Sequence, residues 1–165
     1  SEIVVVAIKN ERQTMQDRLR GFFDALQENS IKHLDKRLFH LSVRSDNIGA
    51  VIESIYKCFP NVTAIAFDQA PLTFRAIKYL ESKGLRIPHD ISVTGFGMLK
   101  ELHNHIKITS IDEHPFQMAY DTAEILIDLI EDKLRGPVQK TLPIELVAGD
   151  SVSIISNTKI KSINS

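Results

Sequence analysis

The run Ile3-Val4-Val5-Val6-Ala7-Ile8 constrains the fold more than any other stretch of the chain. It is uninterruptedly apolar, almost wholly β-branched and far too short to cross a bilayer. A strand with no polar alternation has to be covered on both faces, and that is the situation of strands in parallel sheets flanked by helices. The rest of the chain repeats this strand-helix unit. A helix is expected from Gln13 to Asn29, with Leu19, Phe22, Phe23 and Leu26 on one stripe, then a strand from Leu38 to Val43. Asp46 reads as the N-cap of a helix Ile48 to Phe59 that Pro60 stops. A strand Val62 to Phe67 leads to a helix Leu72 to Lys83 closed by Gly84, and Ile91 to Gly95 is a fourth, buried strand. Ile106 to Ile111 is a weaker extended segment. Pro115 opens a helix to Asp132, with Ala119, Ala123, Leu126, Ile127 and Ile130 on its inner face. Gly136-Pro137 breaks the chain before a last strand, Leu142 to Val147. This alternation predicts an α/β fold: a doubly wound parallel sheet with helices on both faces and right-handed crossovers.

Composition narrows the function classes. At 165 residues, 43% hydrophobic and 25% charged, the chain can bury one core, with room for an element that needs a neighbour. The net charge is −1, and apart from a weak cluster at Lys32 to Arg37 the cations are dispersed, so a phosphate-backbone reader is not expected. No stretch approaches the roughly 20 apolar residues of a membrane span, and Glu2 ahead of a short apolar run is no secretion leader. A soluble, cytoplasmic protein is the expectation. Cys58 is the single cysteine; it excludes an internal disulfide and, in its apolar helical stretch, reads as a buried inert thiol.

The chemical motifs fail one after another. His103 and His105 stand two apart, with Glu101 and Glu113 the nearest acids, and lack the spacing of a metal site. His33, His40, His89 and His114 are isolated and read as solvated. Gly95-Phe96-Gly97 follows a strand but lacks the third glycine of a dinucleotide loop. There is no nucleophile elbow and no phosphate-loop lysine. Lys9-Asn10 stands where a receiver domain would carry an acidic pair, and Glu131-Asp132 ends a helix facing solvent. The chain reads as neither an enzyme nor a holder of metal or cofactor.

Several stretches, in order, resemble the regulatory domain of the lactose-repressor/galactose-repressor (LacI/GalR) family. Arg18-Leu19-Arg20-Gly21-Phe22-Phe23-Asp24-Ala25-Leu26 is similar to R-x-x-G-F-x-x-A-L on the first helix of that domain's C-terminal lobe. Leu85-Arg86-Ile87-Pro88-His89-Asp90-Ile91-Ser92-Val93-Thr94-Gly95-Phe96 resembles L-x-[IV]-P-x-D-[IV]-S-V-x-G-[FY] nearly position by position. Ile108-Thr109-Ser110-Ile111, the helix Met118 to Glu131 and Leu142-Pro143-Ile144-Glu145-Leu146-Val147 are similar to the family's L-T-T-[IV], its last helix and its closing L-P-x-x-L-V. The likeness runs from about residue 3 to 151.

The resemblance implies a fold of the periplasmic-binding-protein-like (type I) kind. It implies an effector-binding and dimerisation fragment over 1–151, with the C-terminal lobe at about 1–105 and 140–151, a crossover segment at about 106–135 and a polar tail at 152–165. It also implies that the helix-turn-helix headpiece and most of the N-terminal lobe lie outside this sequence. The apolar face of the crossover helix is then expected either to pack back on the lobe or to exchange with a second chain.

The implied function is the sensing module of a transcriptional repressor that binds a sugar or related metabolite and works as a homodimer, touching DNA only through the headpiece. The alternative is a periplasmic or extracellular sugar-binding protein of the same fold. Arg18 falls on the family's effector-binding arginine, a planar fork for hydroxyls or carboxylates. The ligand-touching amide falls on Gln69 by ungapped counting from Gly84, with Asp68 as the other choice. Gly97, after Phe96, replaces the family's sugar-binding aspartate, and Arg44 or Val43, with Arg44 favoured by counting from Gly49, replaces a stacking aromatic. These two departures make the cleft more positive and suggest an anionic effector such as a sugar phosphate or sugar acid; loss of the usual ligand is the rival. An exposed dimer seam is expected at Leu72, Phe74 and Tyr79.

Overall fold

The computed structural model describes residues 2–9, 12–41, 47–97 and 106–154. Six strands form one sheet, in the order β2-β1-β3-β4-β5-β6: β1 (Ile3–Ile8), β2 (Leu38–Leu41), β3 (Ala64–Phe67), β4 (Ser92–Phe96), β5 (Thr109–Asp112) and β6 (Glu145–Val147). The first five are parallel, with β1 at the centre of the β2-β1-β3 trio as its two-faced apolar run requires. The sixth departs from the all-parallel expectation. It pairs antiparallel with β5, through Ser110 with Val147 and Ile111 with Leu146, because the chain returns from an excursion and not from a helical crossover.

Alternation assigns the two faces. Val4, Ile65 and Val93 lie in one register row, with Val6 and Phe67 in another. These side chains join Ile52 and Ile55 of α2 (Ile48–Cys58) and Leu72, Ala76, Ile77 and Leu80 of α3 (Ala70–Ser82) in a single core. The opposite row, Val5, Ala66, Thr94 and Thr109, faces α1 (Gln13–Glu28) and is built of small or β-branched residues.

Several boundaries move. The proposed cap Asp46 lies outside the described residues, and Asn47 caps α2, its side-chain oxygen accepting from the Ala50 N–H at 3.0 Å. α3 begins at Ala70 because Pro71, lacking an N–H to satisfy, suits the first turn. Gly84 takes φ +75° past the helix end, as a C-terminal glycine should. Cys58 is exposed on the last turn of α2, so its apolar neighbours do not bury it. The basic cluster conceals a structural cation: buried Arg37 donates to the carbonyls of Lys32 and Ile3 at 2.8 Å each and faces the ring of Phe59.

Of the two outcomes expected for the apolar face of α4 (Pro115–Ile130), packing back on the lobe is not the one found. Ala119 and Ala123 are exposed, as are Leu126 at 56%, Ile127 at 51% and Ile130 at 74%. Buried Asp121 instead faces the returning chain and pairs with Lys140 Nζ at 2.7 Å. Periodicity reveals that a helix has an apolar face, not which neighbour covers it. The segment expected to be a separate crossover nonetheless begins inside the sheet, since β5 bonds to β4.

The excursion is tied at its root. The Asp150 N–H donates to the Lys107 carbonyl at 2.6 Å. The buried Ser151 hydroxyl donates to the Val93 carbonyl at 2.6 Å and accepts from the Thr109 N–H at 2.9 Å. A Cβ on Gly149 would sit 2.2 Å from the Lys107 carbonyl oxygen, whereas one on Gly21, in the exposed face of α1, meets nothing within 4 Å. Gly149→Ala should therefore destabilise the fold by roughly 1–3 kcal/mol or more, and Gly21→Ala should stabilise it by about 0.5–1 kcal/mol. Thermal unfolding of the two variants checks the opposite signs.

Candidate functional site

The C-terminal ends of parallel strands converge where their following loops diverge, which makes that edge the usual ligand crevice of an open α/β sheet. Here it opens into a pocket of about 360 Å³ between α1 and the sheet. The register explains its floor. Val5, Ala66, Thr94 and Thr109 form one row, while Phe96, Ile111 and Leu146 form the next across β4, β5 and β6. Short side chains in the first row keep the floor low, and Leu19 and Phe22 of α1 supply the roof. Most of this wall is apolar, so the few polar groups in it decide orientation.

Arg18 dominates those groups. Its guanidinium lies over the Phe96 ring with the carbon 3.6 Å from the centroid, a cation–π stack that fixes the plane of the fork. One nitrogen donates to the Asp68 carbonyl at 3.1 Å, and another to Glu113 Oε1 at 2.6 Å. The side chain is 22% exposed, enough to reach a ligand while held on three sides.

Asp68, at the end of β3, is 6% exposed. Its Oδ2 accepts from the Ile8 N–H at 3.1 Å, tying the ends of β1 and β3 together. Its Oδ1 is buried without a partner among the described residues, and Asp68 is one of the residues lining the pocket. A buried acceptor left unbonded is costly. Burial pushes the Asp68 carboxyl above its ordinary value, against the Ile8 N–H and the Arg18 charge, which both pull it down.

The residues singled out from the sequence fare unevenly. Arg18, Phe96 and Asp68 come together. Gln69 does not line the pocket: its backbone carbonyl accepts from Thr73 at the start of α3, and its amide is 3.9 Å from Met15 Sδ on α1. Gly97 sits at the rim with φ +97°, a left-handed backbone that glycine tolerates best, its N–H bonded to the Ile111 carbonyl. Arg44, like His103 and His105, lies outside the described residues, and no metal-capable cluster exists among the described ones.

The expected seam is corrected at Leu72, which is 2% exposed and part of the core. Phe74 and Tyr79 are half-buried against that core, with the Tyr79 hydroxyl donating to Glu53 at 2.6 Å. The register of α3 turns Leu72 toward the sheet with Ala76 and Leu80, one turn apart. Sequence reasoning missed Glu113 as a partner of the site. Its signal was position: it follows a parallel strand end directly, at the edge where such sheets collect ligands.

The comparisons with known proteins agree with one another. A family model described as a periplasmic binding protein-like domain matches residues 1–152. The HTH-type transcriptional repressor PurR of Vibrio vulnificus (strain CMCP6) is 26% identical over 148 residues, spanning 88% of this chain and 44% of that protein. The HTH-type transcriptional regulator MalR of Clostridium butyricum is 31% identical over 114 residues, spanning 68% of this chain and 34% of that protein. A LacI family transcriptional regulator from Enterococcus faecium, solved with bound ribose, superposes with a TM-score of 0.76 at 24% identity, over 93% of this chain and 57% of that one. The chain thus spans less than half the length of these curated relatives.

The Asp68 carboxyl gives the site a pH signature. Its raised pKa means that the folded chain holds the proton more tightly than the unfolded one. Its stabilising contribution is therefore fully present below about pH 4, the ordinary carboxylate value, and is lost as pH rises through the raised value. Against Asp68→Asn, which cannot titrate, the relative melting temperature of the wild type should fall with rising pH across that window. A flat difference between the two curves would contradict the assignment.

Proposed function

The chain belongs to the periplasmic-binding-protein-like domain family, and from that membership we propose that it is the effector-sensing module of a transcriptional repressor of the lactose-repressor/galactose-repressor type, which holds a sugar or sugar derivative against Arg18. The resemblance to that repressor family is borne out by the PurR and MalR relatives. Those relatives are transcription regulators, which does not favour the extracellular binding-protein alternative or an enzyme. Among the described residues, no helix is long and apolar enough to cross a membrane.

One observation carries the reading: a guanidinium clamped flat on Phe96 beside the unpartnered buried Oδ1 of Asp68, in an apolar pocket at the strand ends. A fixed donor fork next to an acceptor that lacks a bond suits a molecule whose hydroxyls both donate and accept, with carbon faces for the apolar wall. Ribose bound to the structurally similar Enterococcus regulator supports this ligand class. In this proposal residues 1–151 form the effector-binding and dimerisation unit, and the protein works as a cytoplasmic homodimer. A helix-turn-helix domain of the full-length protein contacts DNA, and ligand acts by favouring one lobe arrangement over another.

Calorimetry on the full-length protein with a panel of neutral pentoses, hexoses and disaccharides tests it. At least one sugar should bind, and Arg18→Ala should weaken that sugar by about tenfold to a hundredfold, the worth of a hydrogen bond to a charged group. Binding that Arg18→Ala leaves unchanged would overturn the placement of the ligand.

A further inference from the structure

The geometry points to Glu113 as the residue that sets the charge selectivity of the pocket: its carboxylate is a built-in counter-ion that occupies the anion-accepting side of Arg18 and keeps acidic ligands out. The inference rests on the reading that the Arg18 pocket is the effector site, and it names the ligand's charge.

An arginine at the mouth of a binding pocket ordinarily suggests a carboxylate or phosphate ligand, because the fork matches those anions in two parallel bonds. Here the fork is already engaged. Glu113 Oε1 takes one terminal nitrogen at 2.6 Å, the Asp68 carbonyl takes the other at 3.1 Å, and the Phe96 ring covers one face at 3.6 Å from its centroid. Glu113 is held at the joint between β5 and α4. Just before it, Asp112 is buried, and just after it, the backbone N–H of His114 donates to Asp112 Oδ1 at 2.9 Å. The carboxylate therefore belongs to an anchored turn and not to a free surface side chain.

Glu113 meets Arg18 from beside the pocket, and the one acid among the described lining residues, Asp68, has the same sign. Asp68 is the second acid beside Arg18, and its unpartnered oxygen would repel an anion while accepting a hydroxyl. Among the described lining residues Arg18 is the one cation, and it faces two carboxyl groups. An entering phosphate would have to break the Glu113 bond and then sit beside two acids. A neutral polyol can accept from the edge of the guanidinium and donate to Asp68 with the ion pair intact. Glu113 thus opposes at Arg18 the positive shift that Gly97 suggests when the sequence is read by itself.

The test uses calorimetry at low ionic strength, where such pairs are least screened, with inorganic phosphate as the anionic probe and the neutral sugar panel alongside. Wild type should bind phosphate weakly or undetectably. Glu113→Gln, which keeps shape and hydrogen bonding, should bind phosphate on the order of tenfold tighter or more, the scale of one removed charge near 4 Å. The gain should vanish in the Arg18→Gln/Glu113→Gln double variant. Glu113→Ala serves as a second single variant, and the thermal midpoint of each reports that it is folded. Equal phosphate binding by wild type and both folded single variants overturns the inference, even if a sugar binds and the functional reading stands. A phosphate gain that needs Arg18, with no sugar bound by wild type, upholds the counter-ion and removes the sugar reading instead.

Discussion

The fold depends on the double burial of β1. Val4 and Val6 are sealed against α2 and α3, while Val5 and Ala7, pointing the other way, are just as inaccessible. A strand in that position has no edge and no wet face, so its neighbours must run parallel and return by crossovers. Parallel strands then deliver all their C-terminal ends to one side. That is why Asp68 and Phe96, which come from separate units of the chain, meet within a few ångströms of Arg18, and why the end of β1 is bonded to Asp68 through the Ile8 N–H. The site is a by-product of burying the sheet, refined by a handful of polar residues.

The polar residues form one linked system. Asp68 ties two strand ends through the Ile8 N–H and presents its carbonyl to Arg18. Arg18 in turn lies on Phe96 and bonds to Glu113 at the foot of α4. A ligand touching the guanidinium therefore meets a group already shared by β3, β4 and the β5–α4 joint. Preorganisation of this kind lowers the cost of ordering the site on binding, and it makes the charge of the pocket a property of the arrangement and not of Arg18 alone.

Much of the architecture was legible in the sequence because it rests on local signals. β-branched runs, Gly84 and Pro115 mark elements through backbone physics that neighbours cannot easily override. Arg18 and Phe96 were legible because their motifs fix them to a helix turn and a strand end. Three things were not. The antiparallel pairing of β6 depends on where a distant excursion returns. Asp68 and Gln69 are adjacent, so a small register choice exchanges the side chain in the pocket for the one beside Met15. The burial of Leu72 and the exposure of the α4 stripe were illegible for a common reason: an apolar residue declares that it prefers burial, while tertiary geometry decides what covers it.

The knot of bonds at Lys107, Gly149, Asp150 and Ser151 has an evolutionary reading. The two ends of the excursion leave and re-enter the lobe as bonded neighbours, so the intervening chain is a closed loop whose root does not depend on its contents. Doubling the length of such a loop costs only about 0.6 kcal/mol in closure entropy. Insertions, deletions or exchanges in the α4 arm can therefore accumulate with little penalty to the sheet beneath it. The lobe can stay constant while the arm is tailored to whatever it must meet.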